Sequence, residues 1–273
     1  MNINCNGNLI DLSTPKVMGI LNVTPNSFYD GGKHKEINSI IHQVDKMLSE
    51  GADFIDIGAY SSKPSAEFVS EEEEIKRLVH IIKELVETFP TIILSVDTFR
   101  ANVAEASVEN GVAIVNDISA GLLDDKMLET VADLKVPYIM MHMRGNPQTM
   151  QSLTDYNDIV KEMIFYFSER IKKARSFGIS DIIIDPGFGF AKTLEQNYEV
   201  LHKMELFSML ELPLLAGISR KSMIYKVLES SPQEALNGTS VLNTIKLKKG
   251  AKILRVHDVK EAVECIKLVS KLK

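Results

Sequence analysis

Residues 91–117 read TIILSVDTFRANVAEASVENGVAIVND. An apolar run (91–97) ends on Asp97, an amphipathic segment (99–110) follows, and a second apolar run (112–117) carries Asn116 near its end. Runs this short and rich in Ile, Leu and Val read as strands buried on both faces, and the segment between them has the length of a helix. The stretch is therefore a strand–helix–strand unit, the building block of a parallel α/β fold.

Working outward, the same alternation covers the chain. The strand candidates are 16–22, 53–58, 91–97, 112–117, 136–142, 181–185, 213–218 and 251–257. Amphipathic stretches lie at 36–50, 99–110, 124–134, 155–177, 194–204, 237–249 and 258–271. Another starts at Ser70, whose spacing to Glu73 is that of a capping box; Ile75, Leu78, Val79, Ile82 and Leu85 then recur at helical spacing, and the run from Glu71 reads as a solvated helix start. Eight alternations predict a closed (β/α)8 barrel, a TIM barrel, filling residues 1–273 as one domain, with an open doubly wound sheet as the second choice.

Composition narrows the function. The chain has 273 residues, 45% of them hydrophobic, which suffices for one large core of the size such barrels commonly have. A formal net charge of −6 argues against a nucleic-acid or membrane surface held by bulk electrostatics, so an anionic ligand must be gripped by local cations. Two cysteines, Cys5 and Cys265, make no disulfide framework and read as reduced thiols of a cytoplasmic protein. The N-terminal MNINCNGNLIDLS is too polar for a signal peptide, and no apolar run approaches the ~20 residues of a membrane span.

In such a fold the carboxyl ends of the strands share one face and build the site. Here those ends carry polar residues: Asn22 closes KVMGILN, Asp97 closes TIILSVD, Asn116 closes GVAIVN, Asp185 closes DIIID, Ser219 follows PLLAGI, and Arg255 and His257 stand in AKILRVH. Arg255 and His257, two apart on one strand, project to the same side. Residues 24–34 and 59–68 are long Gly- and Pro-containing loops on the same face, suited to act as lids. His34, His42, His80, His142 and His202 have no partner at zinc-like spacing, and His142 reads as structural or pocket-lining.

Eight blocks in order, GILNVTPNSFYDGG, GADFIDIGAYSSKP, SVDTFR, VNDISAG, MHMRGNPQTMQ, DPGFGF, GISRKS and RVHDV, resemble the signature blocks of the dihydropteroate synthase family. The resemblance spans nearly the whole chain. It implies a (β/α)8 barrel transferase of folate biosynthesis that joins 6-hydroxymethyl-7,8-dihydropterin pyrophosphate to p-aminobenzoate, releasing 7,8-dihydropteroate and pyrophosphate. It also implies sulfonamides as competitive inhibitors and a homodimer. Carried over by position, it assigns the pterin to Asp97, Asn116, Asp185, Lys221 and Phe190. It assigns the pyrophosphate to Asn22, Ser62, Lys63, Arg255 and His257, with Asn22 touching a Mg²⁺ held by the pyrophosphate. p-Aminobenzoate falls to Phe28, Ser62, Pro64, Phe190, Ser219 and Ser222. Asp30 would sit near a developing cation, and Asp30, Lys221, Arg255 and His257 form the catalytic set.

The residue types suit that chemistry. A pterin edge presents donors and acceptors to carboxylates and amides in a dry pocket. Each carboxylate could instead cap the next helix, Asp97 most readily before its TFR. Mg²⁺ shared with phosphates needs few protein oxygens, so a single Asn suffices. The resemblance implies that pyrophosphate leaves before the amine attacks, so the protein's part is electrostatic and positional, with no covalent lysine chemistry. Asn26 stands where many relatives carry Asp, Lys63 where they carry Arg, and Ser65 where Gly is common. Lys63 exchanges a bidentate fork for a point charge and Ser65 stiffens the second loop, which together predict slower loop closure or weaker pyrophosphate binding. Competing readings are a pterin-barrel methyltransferase with a corrinoid partner, a non-catalytic pterin-binding relative, and a barrel enzyme acting on phosphorylated sugars.

Overall fold

The structure is a computed structural model and describes residues 1–23, 33–60 and 69–272. An N-terminal hairpin, β1 (Asn2–Cys5) and β2 (Asn8–Asp11), precedes the alternating units. These run β3 (Lys16–Asn22), α1 (Lys33–Ser49), β4 (Phe54–Gly58), α2 (Glu71–Thr88), β5 (Leu94–Asp97), α3 (Ala101–Glu109), β6 (Ile114–Asp117), α4 (Met127–Leu134) and β7 (Tyr138–Met141). Then come α5 (Ile159–Ser176), β8 (Ile182–Asp185), α6 (Leu194–His202), β9 (Leu215–Ala216), α7 (Ser222–Tyr225), α8 (Leu236–Lys248), β10 (Ile253–Val256) and α9 (Val259–Val269).

The strands β3 to β10 pair in parallel in the order β8-β7-β6-β5-β4-β3-β10-β9. A parallel bridge from Ile184 to Leu214 joins the two ends, and Ile184 N donates to Pro213 O at 3.0 Å. That closure makes a (β/α)8 barrel and eliminates the open doubly wound sheet. The strand predicted over 213–218 is only two residues long, so this seam is the thinnest part of the wall.

Period-two alternation explains the barrel interior. Met18, Phe54, Ile114, Ile139, Ile183, Leu215 and Ile253 form one buried cluster at its floor, joined by Ile3, Cys5 and Leu12 from the hairpin segment. The hairpin thus plugs the amino-terminal end of the barrel, a role the sequence reading did not foresee. Opposite-parity residues, among them Val17, Leu21, Ile55, Val96, Val115, Tyr138, Ile184 and Leu254, meet the helices in the outer core.

Helix starts follow local chemistry. Ser70 Oγ accepts from Glu73 N at 3.3 Å, the first half of the expected capping box, while Glu73 itself pairs with Arg77. The acidic run is not wholly solvated, because Glu74 is buried against Arg100 and Thr98. Asp158 and Thr193 cap α5 and α6, the latter with both halves of a capping box. Asp97 caps nothing: α3 begins at Ala101, whose N–H goes to Asp124 Oδ2 at 2.7 Å.

Candidate active site at the mouth of the barrel

Two residues past each floor residue, the same strand face points into the barrel one layer nearer the mouth. Phe54 leads to Asp56, Ile114 to Asn116, Ile183 to Asp185 and Ile253 to Arg255. The apolar floor and the polar mouth are thus successive layers of one inward face.

Arg255 organises this layer. Its Nε donates to Asp56 Oδ2 at 2.6 Å and its Nη2 to Asp97 Oδ2 at 2.7 Å, and Asn116 Nδ2 donates to Asp56 Oδ2 at 3.0 Å. Asp56 is wholly buried, whereas the Asp97 side chain keeps 26% of its surface open to the mouth. Burial raises Asp97 above the ordinary carboxylate value while Arg255 pulls it down, and the two carboxylates hold Arg255 firmly protonated against the cost of its own desolvation. Inside the barrel, Asp56 Oδ1 and Ser95 Oγ, on register partners, have no hydrogen-bond partner among the described residues.

The second cluster lies across the mouth at the β8 and β9 ends. Asp185 is buried and accepts Gly187 N at 2.9 Å, and burial raises it while Lys221 opposes. Lys221 Nζ donates to Phe188 O at 2.5 Å and stands 4.8 Å from the Phe190 ring centroid. Burial brings Lys221 down to about 8, with Asp185 opposing, so it remains an ammonium at neutral pH. Ser219 Oγ lies 3.0 Å from His257 Nδ1 and accepts His257 N at 3.2 Å, tying two loop starts together. Arg220 reinforces that tie with a bidentate pair to Asp258 at 2.8 and 2.7 Å and bonds to the carbonyls of Pro232 and Gln233. Desolvation and the Arg255 charge lower His257.

The structure brings Asp97, Asn116, Asp185, Lys221, Phe190, Ser219, Arg255 and His257 to one end of the barrel. Asn22 is exposed at the end of β3, and Ser222 opens α7 beside Lys221. Phe28, Asp30, Ser62, Lys63 and Pro64 lie outside the described residues, as do Asn26, Ser65 and most of both expected lids. Sequence reasoning missed Asp56, Arg220 and Lys192, the last of which is buried against His142. A carboxylate inside the apolar run FIDIG was the available signal for Asp56, since a buried charge needs a partner. Among the described residues no cluster of His, Cys, Asp and Glu could cage a metal. The exposed amide oxygen of Asn22 fits a Mg²⁺ whose other ligands belong to a phosphate and water.

Fold and site together define a TIM-barrel protein whose mouth gathers buried carboxylates, an amide and cations on one inward face. Residues 18–257 match the family of pterin binding enzymes. The chain is 42% identical to the dihydropteroate synthase of Escherichia coli strain K12 over 271 residues, covering 98% of this chain and 95% of that one. It superimposes with a TM-score of 0.93 on the Yersinia pestis dihydropteroate synthase in complex with a sulfonamide drug, at 40% identity over 100% of this chain and 99% of that one. A Xanthomonas albilineans dihydropteroate synthase in complex with 7,8-dihydropteroate gives a TM-score of 0.87, at 33% identity over 99% and 98%. The chain belongs to the pterin-binding enzyme family and, within it, to the dihydropteroate synthases.

Proposed function

We propose that this chain condenses 6-hydroxymethyl-7,8-dihydropterin pyrophosphate with p-aminobenzoate to 7,8-dihydropteroate and pyrophosphate, a transferase step of folate biosynthesis. The observation that carries this reading is the convergence of Asp97, Asn116, Asp185 and Lys221 around a mouth organised by Arg255. The relatives' names and the 7,8-dihydropteroate complex support the same reading.

In this account Asp185 and Asn116 meet the pterin's pyrimidine edge. Asn116 spends its Nδ2–H on Asp56 and keeps Oδ1 for a ring N–H, while Asp97 offers Oδ1 beside the Arg255 bond. The Lys221 ammonium donates to the ring carbonyl or a ring nitrogen, and Phe190 covers the ring. The C–O bond to pyrophosphate breaks with its electron pair leaving on oxygen, and the charge left on the methylene spreads into the electron-rich pterin. The aniline nitrogen then forms the C–N bond and releases a proton. Arg255 and His257 stabilise the departing anion, and Ser219 orients the His257 ring through Nδ1. Pre-formed bonds hold these groups in place, so little reorganisation is needed during reaction.

Asn22 would hold a Mg²⁺ shared with the pyrophosphate, whose chemistry is to neutralise the leaving charge. Asp30, Phe28, Ser62, Lys63 and Pro64 would complete the site from the two loops. Sulfonamides would compete with p-aminobenzoate, as the drug complex of the Yersinia pestis relative suggests. A homodimer belongs to the same reading; Val241 on α8 and Leu268 on α9 are apolar side chains left exposed. No helix among the described residues is long and apolar enough to cross a membrane.

The test is Mg²⁺-dependent pyrophosphate release from the dihydropterin pyrophosphate, with and without p-aminobenzoate, by wild type and Lys221→Ala. Release coupled to dihydropteroate formation and lost in the variant supports the synthase. Pterin binding with no condensation would leave a non-catalytic pterin-binding protein. Sedimentation at micromolar concentration tests the dimer, and a monomer there would refute it.

A further inference from the structure

The turn after β8 is held from below by a side chain that the proposed mechanism does not use. Lys192 is buried, and its ammonium has three partners: His142 Nδ1 at 3.1 Å, Gly187 O at 2.9 Å and Phe190 O at 2.9 Å. As an ammonium, Lys192 has three N–H donors for these three groups, and in that form Nδ1 of His142 is the unprotonated acceptor. Burial brings Lys192 down to about 7, the nearby Asp185 charge opposing the fall and Lys221 adding to it. Burial, then the Lys192 charge, keeps His142 well below the ordinary histidine value and so neutral.

The turn so held is the one that shapes the pocket. Phe190 N closes it on Gly187 O at 3.1 Å, Gly189 N is fixed by Asn197 Oδ1 at 2.6 Å, and its Phe188 carbonyl grips Lys221. There is no slack toward β7, because a Cβ on Gly187 would fall 2.2 Å from His142 O. His142 is itself wedged by Tyr166, with ring centroids 4.8 Å apart.

We propose that Lys192 is a positioning residue for the pterin pocket: with His142 it fixes the 187–190 turn, and through it the Phe190 ring and the Lys221 ammonium. The proposal rests on the pterin reading of the site. It assigns Lys192 no contact with substrate.

The experiment measures binding of 6-hydroxymethyl-7,8-dihydropterin by calorimetry, kcat and KM for both substrates, and the ¹⁵N shifts of the His142 ring. It compares wild type with Lys192→Met, Lys192→Arg, His142→Leu and His142→Asn. Wild type should show His142 as the neutral tautomer with a pyridine-type Nδ1, and Lys192→Met should lose that signature. Lys192→Met and His142→Leu should weaken pterin binding about tenfold or more, with a smaller change in KM for p-aminobenzoate. His142→Asn, which leaves an acceptor beside the ammonium, should recover most of that loss. Lys192→Arg should not, since a planar fork cannot satisfy a tripod of acceptors. A protonated Nδ1 in wild type, or pterin binding in folded Lys192→Met equal to wild type, overturns the role of Lys192. Should Lys192→Met fail to fold, the His142→Leu and His142→Asn pair decides, and equal binding in the two overturns it. Failure of wild type to bind the pterin overturns the pterin reading and this proposal together.

Discussion

Replacing Arg255 by Met removes the cation that bridges Asp56 and Asp97. Asp56 is wholly buried and, among the described residues, would keep only the Asn116 Nδ2 bond at 3.0 Å, whereas Asp97 retains 26% exposure and can be rehydrated. The cost therefore falls chiefly on Asp56. Breaking a buried pair by removing one partner typically costs about 3–5 kcal/mol, because the charge left behind has no compensation. The sign with pH follows from linkage. Asp97 is already raised above 3.8 in the folded protein with Arg255 opposing, and loss of Arg255 raises it further. A carboxylate whose folded value exceeds its unfolded one binds more protons when folded, so stability falls as pH rises through that interval. The part of the Arg255→Met deficit carried by Asp97 should thus be largest at alkaline pH and shrink as the pH falls to about 7, the folded Asp97 value with Arg255 in place. Urea denaturation of both proteins across pH measures it directly. An added Asp56→Asn substitution should recover part of the loss. A deficit below about 1 kcal/mol, or one that is the same at acid and alkaline pH, would refute the view that Arg255 serves as countercharge to buried carboxylates.

Three further outcomes are expected. Because burial sets Lys221 near 8, kcat/KM for the pterin substrate should decline on an alkaline limb near that value, as the ammonium loses its proton; Lys221→Arg should move the limb upward, and pH–rate profiles decide. Gly187→Ala places a Cβ 2.2 Å from His142 O at a φ of 65°, so it should cost at least about 2 kcal/mol in denaturant and reduce pterin binding; a variant of wild-type stability would show that the turn relaxes freely. Leu12→Ala empties part of the barrel floor and should cost about 2–5 kcal/mol by thermal or urea unfolding with KM values unchanged, so a selective KM effect would contradict a purely structural plug.

The barrel was legible because each strand is a short Ile-, Leu- and Val-rich run, and the mouth because those runs end on residues that would be out of place in a core. Residues 16–22 were bounded as observed, since Asn22 marks the change from floor to mouth. What escaped were features whose partners are distant in sequence. Asp56 sits inside an apolar run and is explained by Asn116 and by Arg255, the latter 199 residues away. Glu74 looked like one more solvated glutamate until Arg100 and Thr98 met it. The N-terminal hairpin had a local signal that went unused: Asn6 and Gly7 both take positive φ, as an Asn-Gly turn between short strands requires. Its polar composition hid the alternate residues Ile3 and Cys5, which are buried. Strand β9 came out shorter than its apolar run because part of PLLAGI serves the seam by a lone bridge rather than a ladder.

The seam between β8 and β9 lies beneath the loops that supply the Phe190 turn and Lys221. Elsewhere around the barrel neighbouring strands pair over two to five residues, but here one bridge at Ile184 and Leu214 completes the ring. A breathing motion that unlaces this join would open the pocket first and leave the rest of the cylinder intact. A ligand spanning Asp185 and Lys221 reaches across the join like a clasp. Occupancy of the site should therefore slow hydrogen exchange at the Ile184 amide, so that the barrel's weakest joint tightens when the site is filled.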